Sequence, residues 1–446
     1  MNRRSFISKS AITSVGFISL ARCTYKSSVQ ENAEKVISLV KDPNNYLDLP
    51  EGFSYKVISK VGDKMSDGLS VPGRPDGMGT FLSNNNECII IRNHENSPEP
   101  IENSPFGADN ELLTEFPTEK IYDAGKLKKP GLGGTTNLLF DEEKQEVKEQ
   151  FLSLAGTYRN CAGGPTPWNS WLTCEEDVTI TNGDTIEKDH GFVFDVPANA
   201  KGLIDPKPIL GMGRFNHEAV AVDPETGIIY QTEDRSDGLV YRFVPDDPFG
   251  DLHAGGKLQV LALKDKKQLD TRNWDSTQMA VNEKFSVEWI DIDDVLSLKD
   301  DLRYRGFDAG AARFARGEGM WYTEEQIYFA CTNGGPKKFG QIFKYDIKEQ
   351  SLELFAESED KSVLHMCDNL TITPWGEVLV CEDNGEENRM HIIDKEGNLS
   401  LFAINKSSKS EFAGAVFSPS GKTLFVNIQE NGDTLAVTGP WENLMA

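Results

Sequence analysis

A chain of 446 residues that carries 71 Asp and Glu against 46 Lys and Arg has a formal charge of −25 at pH 7. Such a surface repels nucleic acid and anionic lipid, which excludes a nucleic-acid-binding role. Solubility accounts for much of the excess, and carboxylates clustered around bound cations would account for the rest.

The N-terminus, MNRRSFISKSAITSVGFISLARC, places Arg3-Arg4 and Ser5-Phe6 before a short apolar run. This is the pattern of a twin-arginine export signal, so residues 1–30 are read as signal and N-terminal segment, with the twin-arginine machinery as a partner. Leu20-Ala21-Arg22-Cys23 resembles a lipoprotein cleavage box, which makes Cys23 a candidate lipid anchor, although Arg22 stands where a small residue is usual. The expected location is periplasmic or secreted, membrane-tethered if Cys23 is lipidated. Because the twin-arginine route carries folded proteins, it hints at a cofactor loaded before export. No later stretch is long and apolar enough to span a bilayer.

Residues 31–446 are expected to form one β-propeller catalytic domain, acting as a monomer. The recurring unit is a β-branched or aromatic run, a Pro/Gly/Asp turn and a second run. AVAVDPETGIIYQTED, LTITPWGEVLVCEDN and AVFSPSGKTLFVNIQE place hairpin turns at Asp223–Gly227, Pro374–Gly376 and Pro419–Gly421. MGTFLSNNNECIIIRNHEN, PWNSWLTCEED and GMWYTEEQIYFACTNGG are looser copies. Segments such as HGFVFDVP, LVYRFVP and RMHIIDKEGNLSLFA supply outer strands. The spacing predicts an all-β fold, a six-bladed β-propeller with inserted loops and short helices, in preference to a pair of β-sandwiches. Pro245 to Arg313 reads as a long insert, ending in a short helix capped by Asp308 that delivers Arg316 and Glu318 to a glycine-bordered loop.

The second strands share one ending: Asn93-His94-Glu95, Glu175-Glu176, Glu233-Asp234, Asn333, Glu382-Asp383-Asn384 and Gln429-Glu430. In a radial array these oxygen donors converge at one mouth of the central channel, where hard cations, calcium above all, would neutralise them. Seven cysteines occur without a Cys-x-x-Cys pair, so a zinc ribbon is not expected. Cys88, Cys174, Cys331 and Cys381 lie in β-type runs and read as small buried hydrophobes. Cys161 is the exception, since it sits in GTYRNCAGGPTPWNSWLTCEED among polar residues and glycines.

The motifs NRRSF, PDGMGTF, RNHEN, GGTTNL, RNCAGG, SWLTCEE, GRFNHEA, YQTED and ARGEGMW, in this order, resemble the PhoX family of exported alkaline phosphatases. The resemblance implies a six-bladed propeller whose channel holds ferric iron (Fe3+) and calcium (Ca2+), and hydrolysis of a small phosphate ester. Carried onto this sequence, it makes Cys161 a thiolate ligand to iron, with Glu176, Glu218 and Glu318 completing the iron shells. A thiolate suits iron and hardly binds calcium, so one cysteine sorts the two metals. Glu175 and Glu176 are neighbours on a strand and point to opposite sides, one at a metal and the other at an adjacent cation or a supporting contact. Asn137, Glu95, Asp234 and Asp383 are the calcium candidates. Arg316 is expected to clamp two phosphate oxygens with its planar fork. His94 and His217 flank these ligands and are as well explained by hydrogen bonding beside them as by metal binding. Two other functions fit a cation-stiffened propeller: a calcium-dependent hydrolase of lactones or phosphotriesters, and a non-catalytic binding module.

Overall fold

The computed structural model describes residues 37–83, 85 and 87–445; the export signal and Cys23 lie outside them. The fold is all-β and propeller-like. Six innermost strands, Pro75–Leu82, Asn160–Pro165, His217–Val222, Gly317–Thr323, Cys367–Ile372 and Phe412–Phe417, touch one another in that order, and the last touches the first. From each, antiparallel strands step outward.

The inner strands are buried on both faces, as in Thr423–Ile428, where every residue is buried, because there each sheet packs between two neighbours, whereas outer strands such as Ser54–Lys60 keep an exposed face. The three clear hairpin turns fall where expected. Their glycines, Gly227, Gly376 and Gly421, have φ of +72°, +89° and +72°, a region open to glycine at no steric cost. Asp223 closes its own turn by accepting from the Glu225 N–H at 3.0 Å, an Asx-type bond.

Backbone hydrogen bonds draw five sheets of 6, 3, 9, 4 and 4 strands, not six separate four-stranded ones. Two causes are visible. The segment expected as an insert contains Gly256–Leu263 and Lys284–Asp291, and the latter pairs on one side with Gly256–Leu263 and on the other with Ser351–Glu357. It therefore stitches two four-stranded units into the nine-stranded sheet. In the three-stranded sheet the place of a fourth strand is taken by an isolated bridge between Phe194 and Pro208, where Pro206 and Pro208 lack the N–H groups a ladder needs. Ser54–Lys60 pairs with Asp433–Thr438, so a strand from early in the chain closes the sheet formed by its end.

The helix before Arg316 also differs from expectation. It spans Leu302–Ala309 with Asp301, not Asp308, at its N-cap, and it stops at Gly310, φ +118°. Residues 311–316 reach the channel without helix, through isolated bridges at Arg313 and Phe314 and a bend that ends at Arg316. No helix among the described residues is long and apolar enough to cross a membrane.

Candidate metal centre

The pairing of every innermost strand with its outer neighbour slips by one residue near its start: between Pro75 and Met78, Asn160 and Gly163, His217 and Val220, Gly317 and Met320, Cys367 and Leu370, Ala413 and Val416. A bulge of this kind re-aims a side chain that a regular ladder would turn into the sheet. In the first five strands the residues entering the bulge are Asp76, Cys161, Glu218, Glu318 and Asp368. Gly or Ala follows the first four, at Gly77, Ala162, Ala219 and Gly319, and Asn369 the fifth. A Cβ on Gly77 would lie 2.6 Å from Ala162 Cα, and one on Gly319 2.6 Å from the Leu370 nitrogen. The strands approach so closely here that the void at the axis is about 10 Å³, room for one water at most.

A second repeat builds the mouth. The N–H of the residue after each second strand donates to the carbonyl of the residue before the innermost strand: Glu95 to Arg74 (2.9 Å), Glu176 to Arg159 (2.9 Å), Asp234 to Asn216 (3.2 Å), Thr332 to Arg316 (3.1 Å), Asp383 to Met366 (2.9 Å) and Gln429 to Glu411 (3.4 Å). Arg74, Arg159, Arg316 and Met366 accept at φ between +44° and +58°, a conformation that costs free energy for residues with a Cβ and concentrates at functional sites.

Among the described residues three groups of ligand-bearing side chains result: Cys161 with Glu176 and Glu218; Glu218 with Glu318 and Asp368; Asp368 with Asp383 and Glu411. Within each group the donor atoms lie within 4.8 Å of one another. Glu218 and Asp368 are shared, so the groups form one continuous string. Burial, then repulsion from Glu176 and Asp368, drives the Glu218 carboxyl well above its usual range. Burial and the neighbouring Asp234 and Asp368 do the same to Glu318; burial and Asp368 do it to Glu411. Glu176, buried but relieved in part by Arg159, is pushed up to about 8, and Asp383 to about 6, again by burial and then by Asp368. The Cys161 thiol is raised by burial and by Glu218. Asp76 is raised by burial and Glu95, and its Oδ1 is buried without a hydrogen-bond partner. This many acids in one buried spot cannot all be ionised unless cations join them.

Arginines rim the string. Arg316 donates through Nε and Nη2 to both oxygens of Asp234, at 2.9 and 2.8 Å, and through Nη2 to Glu318 at 2.7 Å. Arg159 bonds Glu176 and, at 2.6 Å, Glu95. Arg74 holds the other Glu95 oxygen at 2.6 Å and also reaches Glu430.

Of the residues singled out from sequence, Cys161, Glu176, Glu218, Glu318 and Asp383 are brought together. Asp234 and Glu95 stand at the same mouth with carboxylates bound by arginines, and Arg316 offers its fork to Asp234, not outward. Glu175 does point away from Glu176, as strand alternation requires, yet it meets no cation site. Its Oε1 accepts from the Tyr158 N–H at 2.9 Å and lies 2.6 Å from His190 Nδ1, and its Oε2 accepts from the N–H groups of Gly191 and Phe192 at 2.9 and 3.2 Å. Glu233 and Glu382 repeat this role, Glu233 accepting from Leu239 N–H and Tyr241 Oη and Glu382 from Arg389 and His365 N–H. In each acidic pair, therefore, the first residue anchors the following loop and the second faces the mouth. Asn137 is placed elsewhere: it sits on the third strand out, with Nδ2 3.4 Å from the Ala198 carbonyl, lining a cleft with Phe151 and Trp168. In the fourth blade position Thr332, not Asn333, takes the mouth. His94 is held by the Gly73 carbonyl (2.9 Å) and Thr136 (3.0 Å). His217 is stacked on Phe215 and pushed down to about 3 by burial.

Asp76, Asp368, Glu411 and Arg159 carry the site without having been singled out. For Asp76 and Asp368 the signal lies in the starts of the innermost strands: PDG, NCA, HEA, GEG and CDN align as an acid or cysteine, followed in the first four by Gly or Ala.

A family model described as alkaline phosphatase PhoX matches residues 35–136 and 134–432. No curated protein matches the sequence. Solved structures with similar backbones include a gluconolactonase from Xanthomonas campestris (12% identity, 87% of this chain and 96% of that one, TM-score 0.41) and the WD40 β-propeller domain of Doa1 (9% identity, 88% and 99%, TM-score 0.41). A Bacteroides thetaiotaomicron protein of unknown function is similar at 8% identity over 86% and 76%, with TM-score 0.46.

Proposed function

Because the chain belongs to the alkaline phosphatase PhoX family, we propose that it hydrolyses phosphomonoesters at the acidic mouth, with ferric iron and calcium as its cofactors. The donor set fits those ions. One thiolate among carboxylates suits iron at Cys161, Glu176, Glu218 and Glu318, while the all-oxygen group Asp368, Asp383 and Glu411 suits calcium. Asp76 Oδ1, buried and unpartnered, is a further oxygen donor in want of a cation. When bound, such ions supply an activated water and neutralise phosphoryl charge.

The chain's own residues do the rest. Arg316 keeps Nη1 without a protein partner among the described residues while Asp234 and Glu318 hold the remainder of the guanidinium in place. Glu318 above all keeps that guanidinium charged. Nη1 is thus a preorganised donor for a phosphoryl oxygen, as a single contact in place of the expected two-oxygen clamp. The closed axis beneath the string restricts approach to one side. Export by the twin-arginine route belongs to the same reading.

The single observation that carries the proposal is the thiol of Cys161 within 4.8 Å of carboxylate oxygens of Glu176 and Glu218. Elemental analysis of protein purified without chelator, together with hydrolysis of an aryl phosphate, tests it. Iron with calcium and phosphate release are expected. Calcium alone, with lactone hydrolysis and no phosphate release, overturns the reading in favour of a calcium-dependent lactonase.

A further inference from the structure

We infer that Arg159 is a second phosphate-positioning residue, acting with Arg316 from the other side of Asn216; the inference rests on the phosphatase reading. Arg159, Asn216 and Arg316 precede three innermost strands that touch in succession, and each makes the same backbone bond to the mouth. The three occupy equivalent positions, with the arginines flanking the asparagine.

A continuous chain of hydrogen bonds joins them. Arg159 Nη2 bonds Glu176. Asn216 Nδ2 donates to Glu176 Oε1 at 2.9 Å and to the Asp234 carbonyl at 3.3 Å. Asp234 in turn takes the fork of Arg316. Both guanidiniums are held through Nε and Nη2, although Arg159 Nε donates to the Glu176 backbone carbonyl at 3.2 Å and Arg316 Nε to the Asp234 carboxylate. In both, Nη1 has no protein partner among the described residues, and the side chains are 37% and 28% exposed. The third arginine of the rim behaves differently: Arg74 gives Nη1 to Glu430 and has no terminal nitrogen to offer.

This asymmetry separates two roles. A counter-ion for Glu176 and Glu95 is satisfied by Nη2 alone, which bonds both carboxylates, and leaves Nη1 with nothing to hold. Two N–H donors on either side of one asparagine would each serve a non-bridging oxygen of a phosphoryl group bound between them, and those oxygens gain charge during transfer.

The test compares wild type, Arg159→Lys and Arg159→Gln, all purified without chelator. Inorganic phosphate is the probe, its affinity read by calorimetric titration and as an inhibition constant against an aryl phosphate, with metal content measured on the same samples. Both variants are expected to retain iron and calcium, to bind phosphate at least tenfold more weakly, and to raise KM more than they lower kcat. Arg159→Ala should regain part of its phosphate affinity when guanidinium ion is added. Unchanged phosphate affinity with metals retained overturns the inference, as does loss of metal in every variant, which would make Arg159 a structural counter-ion. A wild-type protein inert on aryl phosphates would instead defeat the phosphatase reading itself.

Discussion

Removing cations from the mouth should leave a protein whose stability falls as pH rises. A carboxyl whose pKa is higher folded than unfolded holds a proton that unfolding would release. Its destabilising effect is absent below the unfolded pKa and grows until pH reaches the folded one. Glu176 rises from 4.5 to about 8 and Asp383 from 3.8 to about 6. Integrated from pH 5 to pH 8, these shifts amount to roughly 3–4 kcal/mol for Glu176 and about 1 kcal/mol for Asp383. At roughly 2.1 cal/mol/K of unfolding entropy per residue, a chain of this length loses about 1 °C of Tm per kcal/mol. Protein dialysed against EDTA should therefore melt about 5 °C lower at pH 8 than at pH 5, beyond any change in untreated protein, since cations binding only the folded state offset the repulsion. Scanning calorimetry of both samples across that range reads the effect. Chelated protein as stable at pH 8 as at pH 5, or indistinguishable from untreated protein throughout, would refute the claim that cations hold these acids together.

Replacing Cys161 by Ala should abolish aryl phosphate hydrolysis and the visible absorption of thiolate-bound ferric iron, and lower bound iron, while circular dichroism stays that of a folded β protein. Arg316→Lys should cut kcat/KM by about tenfold to a hundredfold with metals retained, because an ammonium cannot hold Asp234 and Glu318 and still present a fixed donor; unchanged kcat/KM would reduce Arg316 to a counter-ion. Glu175→Gln should cost about 3–5 kcal/mol by breaking a buried charged pair, read by urea denaturation, with metal content unaltered. Burial opposes the charge on His190, but Glu175 and Asp123 lift it to about 9, so the pair's contribution is complete below pH 6.5 and fades as pH rises through 9. Asn137→Ala should leave iron and calcium stoichiometry unchanged.

The β fold, the hairpin turns at Asp223, Pro374 and Pro419 and the special standing of Cys161 were legible in the chain, because turn chemistry and apolar runs act over a few residues and each repeat states them afresh. Alternation along a strand likewise foretold that Glu175 and Glu176 part company. Alternation is silent about what each then meets, and only the packed molecule turns Glu175 to His190 and Glu176 to Cys161. Asn137 stands in as suggestive a glycine-bordered motif as any, yet lies on an outer strand. Asp76 and Asp368 went unremarked because a one-residue slip in backbone pairing aims the innermost strands' acids at the axis, and such a slip leaves no mark in composition or period; Glu411, just before the last innermost strand, joins them only when the ring closes. Sequence by itself determined which chemical groups each repeat carries at its strand ends. Tertiary structure alone decided which of them share a site, since closing the ring brings together residues hundreds of positions apart and forces buried charges to find partners.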